Sequence, residues 1–339
     1  MYTYQEIVNQ AEQLQKTYVE VNQQTFQEQP SDVYLFIGCG TSFYLASSAA
    51  RYFQAVTGKI AQALPASEIF IHPESSILEK KNYHVIAISR SGTTSEVVEA
   101  LKFLQKQANV KTLSVTCHGD SPMAKLSDQT ISLDHINEKS VVMTQSFTNM
   151  LYALQIYAAK LVSSDKDLHE LAEVPSLTSE LLKDWENTKA ITDNKSYKRF
   201  IFLGSGIYNG IAKEATLKLK EMTQTECESY SNLEFRHGPI SVVDESTIVV
   251  FMTQANSEGL DQELVKDIQR LNGEVLAIGP FSEQFSADHR IRLDPSLSDR
   301  NRLVLFVPHL QLLAYHKALS LGYNPDQPRN LTQVVTLNL

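Results

Sequence analysis

Two stretches of the chain repeat one grammar. Residues 34–53 read YLFIGCGTSFYLASSAARYF and residues 200–219 read FIFLGSGIYNGIAKEATLKL. Each is a near-continuous apolar run, a Gly-x-Gly break, and a helix-like stretch rich in small residues. An apolar run without alternation suits a strand buried on both faces, and helices crossing between parallel strands cover both faces. The pairing therefore predicts an internal pseudo-repeat: two α/β halves, each a doubly wound parallel sheet. The spacing exceeds solenoid periods, so a two-domain protein is expected rather than a stack of repeats.

The alternation continues between the two copies. Residues 33–37, 84–89, 111–115, 199–203, 247–252 and 274–278 read as strands. Residues 42–57, 95–107, 144–162, 261–271 and 308–321 read as helices, and a further helix follows the second Gly-x-Gly and runs to about residue 223. Ile7, Ala11, Leu14, Tyr18 and Val21 form an apolar stripe that predicts one helix over 4–25, for packing or dimerisation. A chain of 339 residues is long for one core. The expected division is an N-terminal helix (1–30), a first domain (31–165), a connecting helical segment (166–196) and a second domain with its tail (197–339).

A net charge of −9 argues against a nucleic-acid surface or an anionic membrane surface. An anionic ligand would need a local trap of N–H and O–H donors. Cys39, Cys117 and Cys227 are scattered and odd in number, which fits a reduced compartment and offers no thiolate metal site. The polar opening MYTYQEIVNQ reads as no signal peptide, and no apolar run approaches a membrane span. A cytoplasmic location is expected.

Four segments offer chemistry. Ser89-Arg90-Ser91-Gly92-Thr93-Thr94-Ser95 falls between a strand and a helix, where such sheets bind ligands. Its hydroxyls and the helix N-terminus suit a phosphate, although a plain helix cap at Thr94 or Ser95 also explains them. Gly38-Cys39-Gly40-Thr41-Ser42 is a second such turn; Phe43 breaks the dinucleotide fingerprint. Lys218 and Glu221 share a helix face and read either as a proton-moving pair or as a surface ion pair. His237, before Gly238-Pro239, reads as a loop-borne acid or base or as an ordinary surface histidine. The remaining histidines show no metal-ligand spacing.

In order, GCGTS (38–42), SRSGTTSE (89–96), LKLKE (217–221), EFRHGP (234–239) and AYHKALSLGYNPDQPRNL (314–331) resemble the sugar-isomerase (SIS) family. The similarity is strongest to the isomerase domain of glucosamine-6-phosphate synthase. It implies two flavodoxin-like SIS domains sharing one sugar-phosphate site. The phosphate would be held by Thr41, Ser42, Ser89, Ser91 and Thr94, with Gly40 and Arg90 in the same turns. Glu221 would shuttle the proton and Lys218 would assist it. His237 would open the sugar ring, reaching into a neighbouring subunit, so a homodimer or higher homo-oligomer with shared active sites is implied. Neither a metal nor an organic cofactor is implied.

Departures from the synthase narrow the expectation. Nothing in the chain resembles a glutaminase domain, and Gln333 stands where the synthase has a tail lysine, so synthase-type amination is not expected. VVMTQSFT (141–148) and EFRHGP look closer to stand-alone enzymes of galactosamine 6-phosphate, glucosamine 6-phosphate or tagatose 6-phosphate. The expected activity is aldose–ketose isomerisation of an aminohexose 6-phosphate with deamination. The alternatives are a fructosamine-6-phosphate deglycase and a non-catalytic phosphosugar sensor.

Overall fold

Each half of the chain builds one sheet. The computed structural model describes residues 1–27, 29–194, 196–334 and 337. In its first half β1 (Val33–Gly38), β2 (Ala61–Pro65), β3 (Tyr83–Ile88), β4 (Val110–Thr116) and β5 (Gln129–Ser132) lie in the order β2-β1-β3-β4-β5. In the second, β6 (Arg199–Leu203), β7 (Cys227–Tyr230), β8 (Thr247–Met252), β9 (Glu274–Gly279) and β10 (His289–Arg292) lie in the order β10-β9-β8-β6-β7. Read from its other edge, the second order is the first, and every pairing is parallel. The pseudo-repeat is thus one of topology, with the doubly wound switch point at β1 and at β6.

Parallel strands need crossovers, and α-helices supply most of them. The helices of the first half are α1 (Tyr2–Val8), α2 (Gln10–Gln23), α3 (Thr41–Thr57), α4 (Glu68–Ile71), α5 (Pro73–Ser76), α6 (Ser95–Leu104), α7 (Pro122–Leu126) and α8 (Gln145–Leu161), of which α3 to α7 link strands. Then come α9 (Asp165–Leu181), α10 (Glu186–Asp193), α11 (Asn209–Thr223), α12 (Glu258–Arg270) and α13 (Val307–Ser320). The chain forms two compact units: an N-terminal unit of 9–175 with 332–339, and a C-terminal unit of 1–8 with 176–331.

Side-chain alternation on the central strands fills both faces of each sheet. Tyr34 and Phe36 of β1 pack on Phe53 of α3, ring centroids 4.5 and 5.6 Å away, and Phe53 stacks on Tyr157 of α8. Leu35 and Ile37 point the other way, into a cluster with Val97, Leu101 and Leu104 of α6. In the C-terminal unit Ile201 and Leu203 join Leu264, Val265 and Ile268 of α12. Each such side chain, fully buried, contributes about 1.5–3 kcal/mol.

The six strands expected from apolar runs are the six interior strands. The four that the runs do not reveal, β2, β5, β7 and β10, are the four sheet edges. Edge strands are short and partly exposed, so AQALP, QTIS, CESY and HRIR carry no apolar signature. The single helix expected over 4–25 is two helices, because Asn9 leaves helical geometry at φ −87°, ψ 2°. The helix after the 89–95 turn stops at Leu104 rather than 107.

His84 is the second residue of β3, the middle strand of its sheet, and is 1% exposed and stacked on Tyr34 at 5.4 Å. Neither ring nitrogen has a hydrogen-bond partner among the described residues. Burial pulls its pKa down to about 4. The unfolded chain, titrating near 6.5, binds the proton first, so this stability is complete above pH 6.5 and lost as pH falls through about 4. His84→Phe should remove about 2–3 kcal/mol of the difference in unfolding free energy between pH 7 and pH 4.5. Urea denaturation of both proteins at the two pH values checks this.

Candidate active site

Two turns of the N-terminal unit leave the same edge of adjacent strands, since Ile37 of β1 pairs with Ala87 of β3. The first joins β1 to α3. Gly40 sits at φ +53°, a conformation open to glycine, and its carbonyl receives the amides of Phe43 and Tyr44. Thr41 and Ser42 follow, each 6% exposed. The Ser42 hydroxyl makes no hydrogen bond to another described residue, which leaves it available to a ligand.

The second turn joins β3 to α6. Gly92 is required twice over: its φ is +63°, and a Cβ there would stand 2.1 Å from Ser121 Oγ. Ser89 Oγ and Thr94 Oγ1 lie 2.9 Å apart, and Ser89 Oγ also accepts the Gly92 amide. Ser91 Oγ accepts from the amide and hydroxyl of Thr93. Thr94 is the N-cap residue of α6 and makes no side-chain capping bond. The start of α6 therefore offers N–H groups and a positive dipole end beside hydroxyls, a combination that can take an anion.

Arg90 points elsewhere. Its guanidinium, 8% exposed, donates to Glu138 Oε2 at 2.7 Å and to the carbonyls of Ser140, Val141 and Gln333. Gln333, in the C-terminal segment, also donates its amide nitrogen to the Glu138 carbonyl. A cavity of about 110 Å³ adjoins this group, and Ser91, His118, Asn137 and Gln333 contribute to its lining.

In the C-terminal unit, α11 presents one charged face. Lys218, 1% exposed, holds Glu221 by a direct hydrogen bond and lies 3.3 Å from Glu214 Oε1. Burial alone pulls the lysine pKa down. The two carboxylates outweigh it by Coulombic attraction and hydrogen bonding, and the net shift is upward. The ammonium thus stays charged, and this part of the stability is lost only above its ordinary value near 10.4, as pH rises through the higher folded value. The surface-ion-pair explanation is ruled out by this burial. Glu221 is the more open carboxylate, at 18% exposure against 3% for Glu214. Glu214 is the residue that sequence reasoning missed, and its i, i+4 spacing to Lys218 is the signal that reveals it.

His237 belongs to a separate turn. Phe235, fully buried, and Arg236, paired with Asp267, pin that turn to its unit. The turn begins at Asn232, whose amide donates to Ser205 Oγ and whose side chain donates to the buried Asp261. The His237 ring itself is exposed, followed by Gly238 at φ +115°. Among the described residues no cluster of three metal-ligating side chains occurs, and no helix is long and apolar enough to cross a membrane.

The chain as a whole is similar to known proteins. A profile of the SIS domain matches residues 30–160 and 195–296. Glutamine–fructose-6-phosphate aminotransferase (isomerizing) of Methanocaldococcus jannaschii is 30% identical over 310 residues, 89% of this chain and 27% of that protein. The enzyme of that name from Neisseria meningitidis serogroup B is 31% identical over 317 residues, 89% of this chain and 51% of that protein. The chain thus spans about half or less of these relatives' length. Glucosamine-6-phosphate deaminase of Thermotoga maritima superposes with a TM-score of 0.86 at 29% identity, covering 99% of this chain and 100% of that one. Tagatose-6-phosphate ketose/aldose isomerase of Escherichia coli shares the fold, with a TM-score of 0.87 at 24% identity over 100% of this chain and 96% of that one.

The triad on α11 predicts a stability effect independent of any substrate. Lys218→Met leaves two carboxylates near each other without their cation and should destabilise the protein by about 3–5 kcal/mol. Glu214→Gln keeps one full ion pair and should cost clearly less. Urea midpoints of the two variants test the order.

Proposed function

The chain belongs to the SIS domain family, and from that premise we propose that it is a phosphosugar isomerase acting on an aminohexose 6-phosphate, releasing ammonia as the ketose forms. The observation that carries this reading is the buried Lys218 holding the more open Glu221 on α11. Moving a proton between adjacent sugar carbons needs a carboxylate fixed in place and a cation to offset the charge that develops on oxygen. The likeness to the Thermotoga deaminase supports the amino substituent.

The 6-phosphate meets the hydroxyls of Thr41, Ser42, Ser89, Ser91 and Thr94 and the N–H groups at Gly40 and the start of α6. A chain of net charge −9 has no general basic field, so hydrogen-bond donors do this work. His237, presented by a second copy of the chain, opens the sugar ring; its exposed ring on a pinned turn supports that role. Glu221 then takes the C2 proton of the open aldose, and the electron pair moves through C1 onto the carbonyl oxygen, near Lys218. Returning the proton to C1 leaves an imine at C2. Water adds there, and ammonia leaves to give the ketose. A phosphosugar sensor would need the turns but no buried lysine–carboxylate triad, so the enzyme reading is favoured.

Incubation with glucosamine 6-phosphate, galactosamine 6-phosphate, tagatose 6-phosphate and fructosamine 6-phosphates, with ammonia, amino acid and ketose assayed together, tests the reading. One aminohexose 6-phosphate should give ammonia and ketose in equal amounts. Glu221→Gln should lower kcat by about 10²- to 10⁴-fold with little change in KM. An amino acid released only from fructosamine 6-phosphates would make the protein a deglycase. Binding without turnover of any sugar would overturn the enzyme reading.

A further inference from the structure

Arg90 sits in the middle of the serine-rich turn, yet both terminal nitrogens of its guanidinium are taken by protein acceptors. A guanidinium has five N–H groups. Four bonds from its two terminal nitrogens run to Glu138 Oε2 (2.7 Å), Ser140 O (3.2 Å), Val141 O (3.1 Å) and Gln333 O (3.1 Å). The bidentate grip on phosphate that makes arginine useful is therefore already committed. Its counter-ion is equally occupied. Glu138, with a side chain 1% exposed, also accepts the amides of Thr144 and Ser146 and the hydroxyls of both, at the start of α8. A second contact joins the turn to the C-terminal segment, where the Leu337 amide donates to Ser95 Oγ at 3.0 Å.

We propose that Arg90 is a positioning residue rather than a phosphate ligand: its ion pair with Glu138 clamps residues 138–146 and the C-terminal segment at Gln333 against the phosphate turn. The inference rests on the reading that this turn holds the phosphate. Ser91 and Gln333 both line the cavity of about 110 Å³ beside the clamp. Releasing Gln333 would remove one wall of that cavity and leave the Ser89, Ser91 and Thr94 hydroxyls in place. Lysine keeps the charge but cannot bridge four acceptors from one nitrogen, so Arg90→Lys is the informative change. The paired change Arg90→Gln with Glu138→Gln removes both charges and guards against loss of folding through an unpaired carboxylate.

Two readouts on the full chain decide the matter. Hydrogen exchange of the Leu337 amide should speed up tenfold or more in both variants, while Ser91→Ala leaves it unchanged. With the sugar phosphate that the wild type turns over, kcat should fall tenfold or more and KM, like the Kd for inorganic phosphate, should change less than threefold. Unchanged exchange, or a tenfold weaker phosphate Kd with kcat preserved, would overturn the clamp. Faster exchange in a protein that turns over no phosphosugar would uphold the clamp and remove the functional reading instead.

Discussion

A parallel sheet has no hairpins: each strand must be returned to its starting side, and so every strand ends on the same edge. That requirement organises both units. In each, three interior strands buried on both faces and a switch at the first strand bring Gly-x-Gly turns to the C-terminal edge, at 38–40 and at 204–206. Helix N-termini meet the chain there, with amides that the helix cannot use itself. The serine-rich turn at 89–95, whose N-cap residue Thr94 makes no side-chain capping bond, lies where the topology brings such N-termini together.

Both units also carry a cation in a nearly dry setting, and they use it differently. Desolvation of a lone charge costs several kcal/mol, so each needs its carboxylate partners close by. Arg90, planar and many-handed, joins Glu138 to three backbone carbonyls, which suits holding loops. Lys218, a point charge, sits between Glu214 and Glu221 and leaves one carboxylate partly open, which suits chemistry. The same electrostatic problem is solved once by a fork that spans several acceptors and once by a point charge between two carboxylates.

Much of this was legible in the residues. Interior strands such as RFIFL and TIVVFM announce themselves, because a strand covered on both faces is mostly apolar. The edge strands do not, because one side of each meets solvent or loop and tolerates Glu, Gln, Arg and His. The hydroxyls of the 89–95 turn and the pair Lys218 and Glu221 were visible as motifs. Glu214 was hidden in plain view, four residues before Lys218, since helices display many such pairs and only burial separates this one from the rest.

Sequence by itself determined the class of sheet, the pseudo-repeat and the identity of the polar turns, because these depend on local pattern: apolar run, glycine, small-residue helix. Tertiary structure alone decided which charges are buried and where each points. Arg90 lies among hydroxyls in the chain, and nothing local says that it turns towards Glu138 and Gln333, residues 48 and 243 positions away. A side chain's partner across such a separation is set by how crossovers and the C-terminal segment pack, and that packing is a property of the whole unit.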